Sequence, residues 1–133
     1  KAGDPVQGVA EAAGESRPLV LVVEDNSVIA LEIETALAEG GFRVLGPAYT
    51  VPQALALLEE GRPDFAVLDY NLAGQPVIAV GARLRELGVP FVLTSAYPML
   101  DLRLTPDFDG VINLGKPLDT RLLIRRIAAV LSG

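Results

Sequence analysis

Three carboxylates, two hydroxyls and one ammonium recur in this sequence at the ends of apolar runs: Glu24-Asp25, Asp69, Thr94-Ser95, and Lys116 followed by Pro117. Brought to one place, three carboxylates repel one another by about 4 kcal/mol per pair at 4 Å, taking an effective dielectric near 20. A divalent cation offsets that repulsion. Magnesium accepts carboxylate and carbonyl oxygens and keeps positions open for water or phosphate oxygens. An aspartate beside such an ion is a nucleophile able to carry a phosphoryl group as an acyl phosphate. That transfer asks the protein mainly for positioning and charge neutralisation, to which Lys116 and Ser95 can contribute.

Each feature also has a plainer reading. An aspartate at a strand end is often a turn former or helix cap, and Glu24-Asp25 can cap the helix that follows, where anions are favoured. Ser95 alone reads as structural. Lys116 stands apart, because the chain holds nine arginines and, beyond Lys1, only this lysine. A solvated surface charge has no reason to prefer a slim ammonium over a guanidinium. It is the conjunction of these groups that points to chemistry.

The elements that would position them alternate short apolar runs with helical patterns, as βαβ units on a parallel sheet do. LVLVV at 19 to 23 is continuously apolar, as a strand covered on both faces should be. A helix over about 27 to 39 carries Ile29, Ile33, Ala36 and Leu37 on one stripe and ends at Gly40-Gly41. A strand at 43 to 48 precedes a helix capped by Thr50, with Pro52 in its first turn and Gln53 placed to reach back. FAVLD at 65 to 69, a helix over 77 to 87, FVLT at 91 to 94 and a short VIN strand at 111 to 113 follow. PMLDLRLTPDFDG between the last two strands predicts a short or irregular helix. Asp119 is placed to cap a final helix with Leu123, Ile127, Val130 and Leu131 inward and Arg121 and Arg125 outward. In such a sheet, ligands bind beyond the carboxyl ends of the strands, which is where the polar residues lie.

At 133 residues the chain has the length of one domain, and residues 1 to 17, without apolar periodicity, read as a flexible tail before a domain at 18 to 133. With no cysteine and no histidine, thiolate sites, disulfides and imidazole ligands are excluded, so any metal must sit on oxygen. A net charge of −6 argues against direct nucleic-acid binding. No run approaches the roughly 20 apolar residues of a membrane span, and the start lacks the apolar core of a signal peptide, so a cytoplasmic location is expected.

Residues 19 to 132 resemble the receiver domains of response regulators. The acidic pair Glu24-Asp25, Leu68-Asp69 with Asn71 two residues on, Ser95-Ala96 and Lys116-Pro117 fall in that family's order. So do the spacings of 44 residues from Asp25 to Asp69, 26 to Ser95 and 21 to Lys116. The resemblance implies a doubly wound, five-stranded parallel sheet of order 2-1-3-4-5, the flavodoxin-like arrangement. It implies phosphorylation of Asp69 by a histidine kinase or histidine phosphotransferase. Magnesium would be held by Glu24, Asp25, Asp69 and the backbone carbonyl of Asn71. Ser95 and Lys116 would contact the phosphoryl group, with Thr94 competing for the hydroxyl's role and Ala96 and Tyr97 beside it. Tyr97 would shield the acyl phosphate from water, and the Lys116-Pro117 bond is expected to be cis. Such a domain is a signalling switch that catalyses its own phosphorylation and acts through a downstream protein, as a monomer or weak dimer.

Two positions depart from the pattern. Asn113 stands three residues before the lysine, where the family usually has Tyr or Phe, and Gly115 directly precedes Lys116, where a larger apolar residue is common. Together with Ser95-Ala96-Tyr97 they resemble the subgroup whose Thr-Gly-Tyr-type motif stands in for that aromatic. Burying the Asn113 amide without partners would cost about 1 to 3 kcal/mol. The active state is therefore expected to be signalled through residues 94 to 110, with Asn113→Ala leaving that response largely intact. The main alternative is a receiver-like docking module that works without phosphorylation, which a missing acid, hydroxyl or lysine would have favoured. A flavin-binding relative would need a glycine- and hydroxyl-rich loop where Glu24-Asp25-Asn26-Ser27 stands. An aspartate-based phosphatase would carry its Asp-x-Asp motif after the first strand, and Asp69-Tyr70-Asn71 does not match it.

Overall fold

The computed structural model describes residues 17–72, 75–95 and 111–132. Strands β1 (Leu19–Val23), β2 (Arg43–Ala48), β3 (Phe65–Asp69) and β4 (Phe91–Thr94) form one parallel sheet in the order β2-β1-β3-β4. The expected fifth strand lies where the order 2-1-3-4-5 puts it, beside β4. It is reduced to a single parallel bridge between Leu93 and Asn113. Around that bridge the Leu93 N–H donates to Ile112 O and the Leu114 N–H to Leu93 O, both at 2.9 Å.

Alternation along the strands divides the core in two. Leu21, Val23, Ala66, Leu68 and Leu93 pack with α2 (Val51–Glu60) and α3 (Ile78–Leu87), through Ala54, Leu58, Val80 and Leu84. Val20, Val22, Phe65, Val67 and Val92 pack with α1 (Ser27–Glu39) and α4 (Thr120–Ser132), through Ile33, Leu37, Leu123 and Ile127. Each large apolar side chain buried in this way stabilises the fold by about 2 kcal/mol.

The helix ends follow the sequence closely. Thr50 Oγ1 accepts the Gln53 N–H at 3.2 Å, and Gln53 reaches back, although to the Tyr49 N–H one residue before the cap. Asp119 Oδ1 accepts the N–H groups of Arg121 and Leu122 and so caps α4. The sheet begins where expected, with Pro18 O accepting the Arg43 N–H ahead of the first strand pair. On β2, Gly46-Pro47 interrupts the register opposite Val22. There Gly46 has φ +100° and a Cβ would stand 2.8 Å from Ala48 N. A proline without a ladder donor is tolerated at such a break on an edge strand. Residues 1 to 16 of the tail expected at 1 to 17, and the helix expected between residues 98 and 109, lie outside the described residues.

Candidate functional site

The site is assembled at the carboxyl ends of β1, β3 and β4. Glu24 follows the last residue of β1 and is tied to β2 by its N–H, which donates to Ala48 O at 3.0 Å. Asp69 ends β3 in register with Thr94, and the ladder continues one residue further as the Tyr70 N–H donates to Thr94 O at 3.0 Å. By the two-residue alternation Asp69 shares the sheet face of Phe65 and Val67, and Glu24 that of Val20 and Val22. Carboxylate oxygens of Glu24, Asp25 and Asp69 lie within 4.8 Å of one another, Glu24 and Asp69 being buried at 2% and 5% exposure and Asp25 exposed.

The plainer reading of Glu24-Asp25 as the helix cap is overturned. Asn26 caps α1, its Oδ1 accepting the N–H groups of Val28 and Ile29 at 2.9 and 3.1 Å. The acidic pair is thereby left to face β3. Glu24 Oε2 accepts the Asn26 N–H at 3.1 Å, which fixes the buried carboxylate.

Lys116 completes the cluster, with Nζ at 3.1 Å from Asp69 Oδ2 and 3.8 Å from Glu24 Oε1. The Lys116–Pro117 peptide is cis, as expected from the sequence. Burial pushes the Glu24 carboxyl up to about 7, and the negative charge of Asp69 adds to that, while the Asn26 N–H and the Lys116 ammonium act in the opposite direction. One ammonium does not balance three acids held this closely. The donor set is all oxygen, compact and anionic, which fits a hard divalent cation such as magnesium.

Thr94 and Ser95 are both buried. Thr94 lines a cleft of about 100 Å³ together with Glu24, Ile29 and Lys116. Asn71 lies two residues beyond Asp69, in a two-residue antiparallel pairing of Asn71–Leu72 with Gln75–Pro76 that the Val77 N–H closes onto Tyr70 O. Sequence reasoning did not foresee this hairpin, because two-residue strands are too short to show a period. Ala96 and Tyr97 lie outside the described residues.

Residues 20–128 match the response regulator receiver domain family, and the chain belongs to it. It is 34% identical over 123 residues to the transcriptional regulatory protein AfsQ1 of Streptomyces coelicolor, covering 86% of this chain and 51% of AfsQ1. The chain thus spans about half the length of the curated relatives it matches. Among solved structures, the receiver domain of the Francisella response regulator 1452 superposes with a TM-score of 0.74 at 26% identity, over 87% of this chain and 98% of that one. The receiver domain of the PhyR response regulator of Erythrobacter litoralis gives 0.73 at 25% identity, over 86% and 90%. No helix among the described residues is long and apolar enough to cross a membrane.

Proposed function

We propose that Asp69 accepts a phosphoryl group from the phosphohistidine of a histidine kinase or histidine phosphotransferase, and that this changes the binding of a downstream protein. The observation that carries the proposal is the convergence of Glu24, Asp25, Asp69 and Lys116 at the carboxyl end of the sheet, with the ammonium 3.1 Å from the acceptor carboxylate. Magnesium, when held by the three carboxylates and the Asn71 carbonyl, supplies charge neutralisation and sites for phosphoryl oxygens. Asp69 forms the new P–O bond while the P–N bond to the donor imidazole breaks, and the imidazole keeps that electron pair and takes up a proton. Lys116 and Ser95 hold the equatorial oxygens, Lys116 by charge and Ser95 by its hydroxyl. Thr94 stands at the same edge in register with Asp69, and the family resemblance assigns the positions of Ala96 and Tyr97 to the phosphoryl site, Tyr97 as the residue that slows hydrolysis of the acyl phosphate. Exposed Val28 and Leu31 on α1, which starts three residues after Glu24, offer an apolar contact for the donor protein. A cytoplasmic location follows, since phosphohistidine of this kind is made there from ATP.

Incubation with acetyl phosphate and magnesium, followed by intact-mass measurement, tests the assignment. The wild type should gain one phosphate and Asp69→Asn none. Equal labelling of the variant would remove Asp69 as the acceptor.

A further inference from the structure

The two departures from the family pattern, Asn113 and Gly115, form one device in the fold. Asn113 Oδ1 accepts the Gly115 N–H at 2.9 Å, a turn closed by a side chain onto the backbone two residues later. Gly115 has φ +78°, yet nothing lies within 4 Å of where a Cβ would stand. The left-handed backbone, not crowding, therefore selects glycine there. One end of the turn is pinned to the sheet through the Leu93–Asn113 bridge, next to the Thr94 that pairs with Asp69. The other end releases Lys116, whose ammonium meets Asp69 and Glu24.

Past Asn113, the backbone bond that holds this segment to β4 is the Leu114 N–H to Leu93 O. Beyond it, Leu114 and Leu118 pack against the core on either side of the lysine, and the Asn113 side chain ties down the Gly115 amide directly before it. A lysine stem has many rotamers, so where its ammonium stands depends on where its Cα is held.

We propose that Asn113 is a positioning residue for phosphoryl transfer: its side-chain carbonyl fixes Gly115 and thereby sets the Lys116 ammonium against Asp69. This rests on the reading of Asp69 as acceptor and Lys116 as its cationic contact. Asn113 then occupies the aromatic's place without serving as a remnant of the aromatic's function.

The test is a double-variant cycle read by the affinity for beryllofluoride, a phosphoryl mimic, at saturating magnesium. Asn113→Ala should weaken that affinity about tenfold, the loss expected when a charge-assisted contact is displaced. Magnesium affinity measured alone should not fall, since Glu24, Asp25 and Asp69 keep their places and an ammonium moved away from them repels the cation less. Asn113→Asp, which keeps the acceptor oxygen, should restore the affinity, and Gly115→Ala, which strains the same turn from its other end, should reproduce the loss. In the metal-free protein the residue 115 amide should exchange faster in Asn113→Ala and stay protected in Asn113→Asp. In a Lys116→Met background Asn113→Ala should add nothing further. Unchanged beryllofluoride affinity in Lys116→Met overturns both this inference and the reading of the site beneath it. A loss in Lys116→Met with none in Asn113→Ala, or losses that add in full in the double variant, overturns the role of Asn113 alone.

Discussion

Glu24 and Asp69 stand at the ends of strands hydrogen-bonded along their length, whereas Lys116 leaves a segment that meets the sheet through a single bridge. β3 is registered against β1 from Phe65 to Leu68 and against β4 from Ala66 to Asp69, so the acceptor carboxylate inherits the rigidity of the sheet centre. On the far side, the bridge at Asn113, one side-chain hydrogen bond and the partly buried Ile112, Leu114 and Leu118 do the corresponding work for the lysine. The acceptor is thus fixed by packing that the whole fold needs, and its cationic partner by local contacts that few other residues depend on. Such weakly held segments are where a switch can move at low cost in stability.

The largest expected effect breaks the central side. Leu68 is fully buried one residue before Asp69, and Leu68→Ala should lower the unfolding free energy by about 3 kcal/mol. Ile112 is half-buried beside the bridge, and Ile112→Ala should cost about 1 kcal/mol. Urea denaturation of the two variants measures the contrast, and equal losses would mean that the edge is as firmly built as the centre.

The next effect sharpens the comparison through the metal. If magnesium belongs to the central side, it binds the folded cluster and not the unfolded chain, so ten times its dissociation constant adds about 1.4 kcal/mol. For a chain of this length that is a rise in melting temperature of several degrees. Glu24→Gln combined with Asp25→Asn should abolish the rise, and Asn113→Ala should leave it whole. A full rise in the acidic double variant would move the metal elsewhere.

Those same two sides differ in how far the sequence disclosed them. LVLVV and FAVLD are continuously apolar, and a continuous run bounded by polar residues marks a doubly covered strand without help from the rest of the chain. The strand ends, and with them Glu24, Asp25 and Asp69, were therefore readable. VIN at 111 to 113 is too short to carry a period, and its reduction to one bridge depends on tertiary contacts that a local pattern does not record. The cap of α1 is not legible for a related reason. Glu24, Asp25 and Asn26 are all plausible caps by type, and only backbone geometry assigns that role to Asn26. The expected cost of an unpartnered Asn113 amide does not arise for its carbonyl, because Gly115 supplies the donor. Asn-x-Gly before the lysine was the available signal, and it reads as a turn only once its two positions are considered as a pair. Asn113→Ala is accordingly expected to weaken the phosphoryl site, while the response expected in residues 94 to 110 falls almost wholly outside the described residues.

The smallest expected effect compares the two helix caps that flank the site, one on each side. Asn26 is uncharged, and Asn26→Ala should cost about 1 kcal/mol by leaving the first N–H groups of α1 without their acceptor. Asp119 caps α4 with a carboxylate, and the Arg121 N–H it accepts holds its pKa below the ordinary 3.8. A carboxyl whose pKa is depressed in the folded state contributes stability that is fully present above its unfolded pKa and is lost as pH falls through the folded value. Asp119→Ala should therefore destabilise the chain at neutral pH by a modest amount, and that difference should shrink steadily once the pH drops below 3.8. The Asn26→Ala difference should stay level over the same range, because no proton is taken up at an amide. Chemical denaturation of both variants at pH 7 and at successively lower pH reads the two slopes. A flat Asp119→Ala difference would show that the cap acts through the shape of the side chain and not through its charge, and the lysine side of the site would then be insensitive to acid at its helix start.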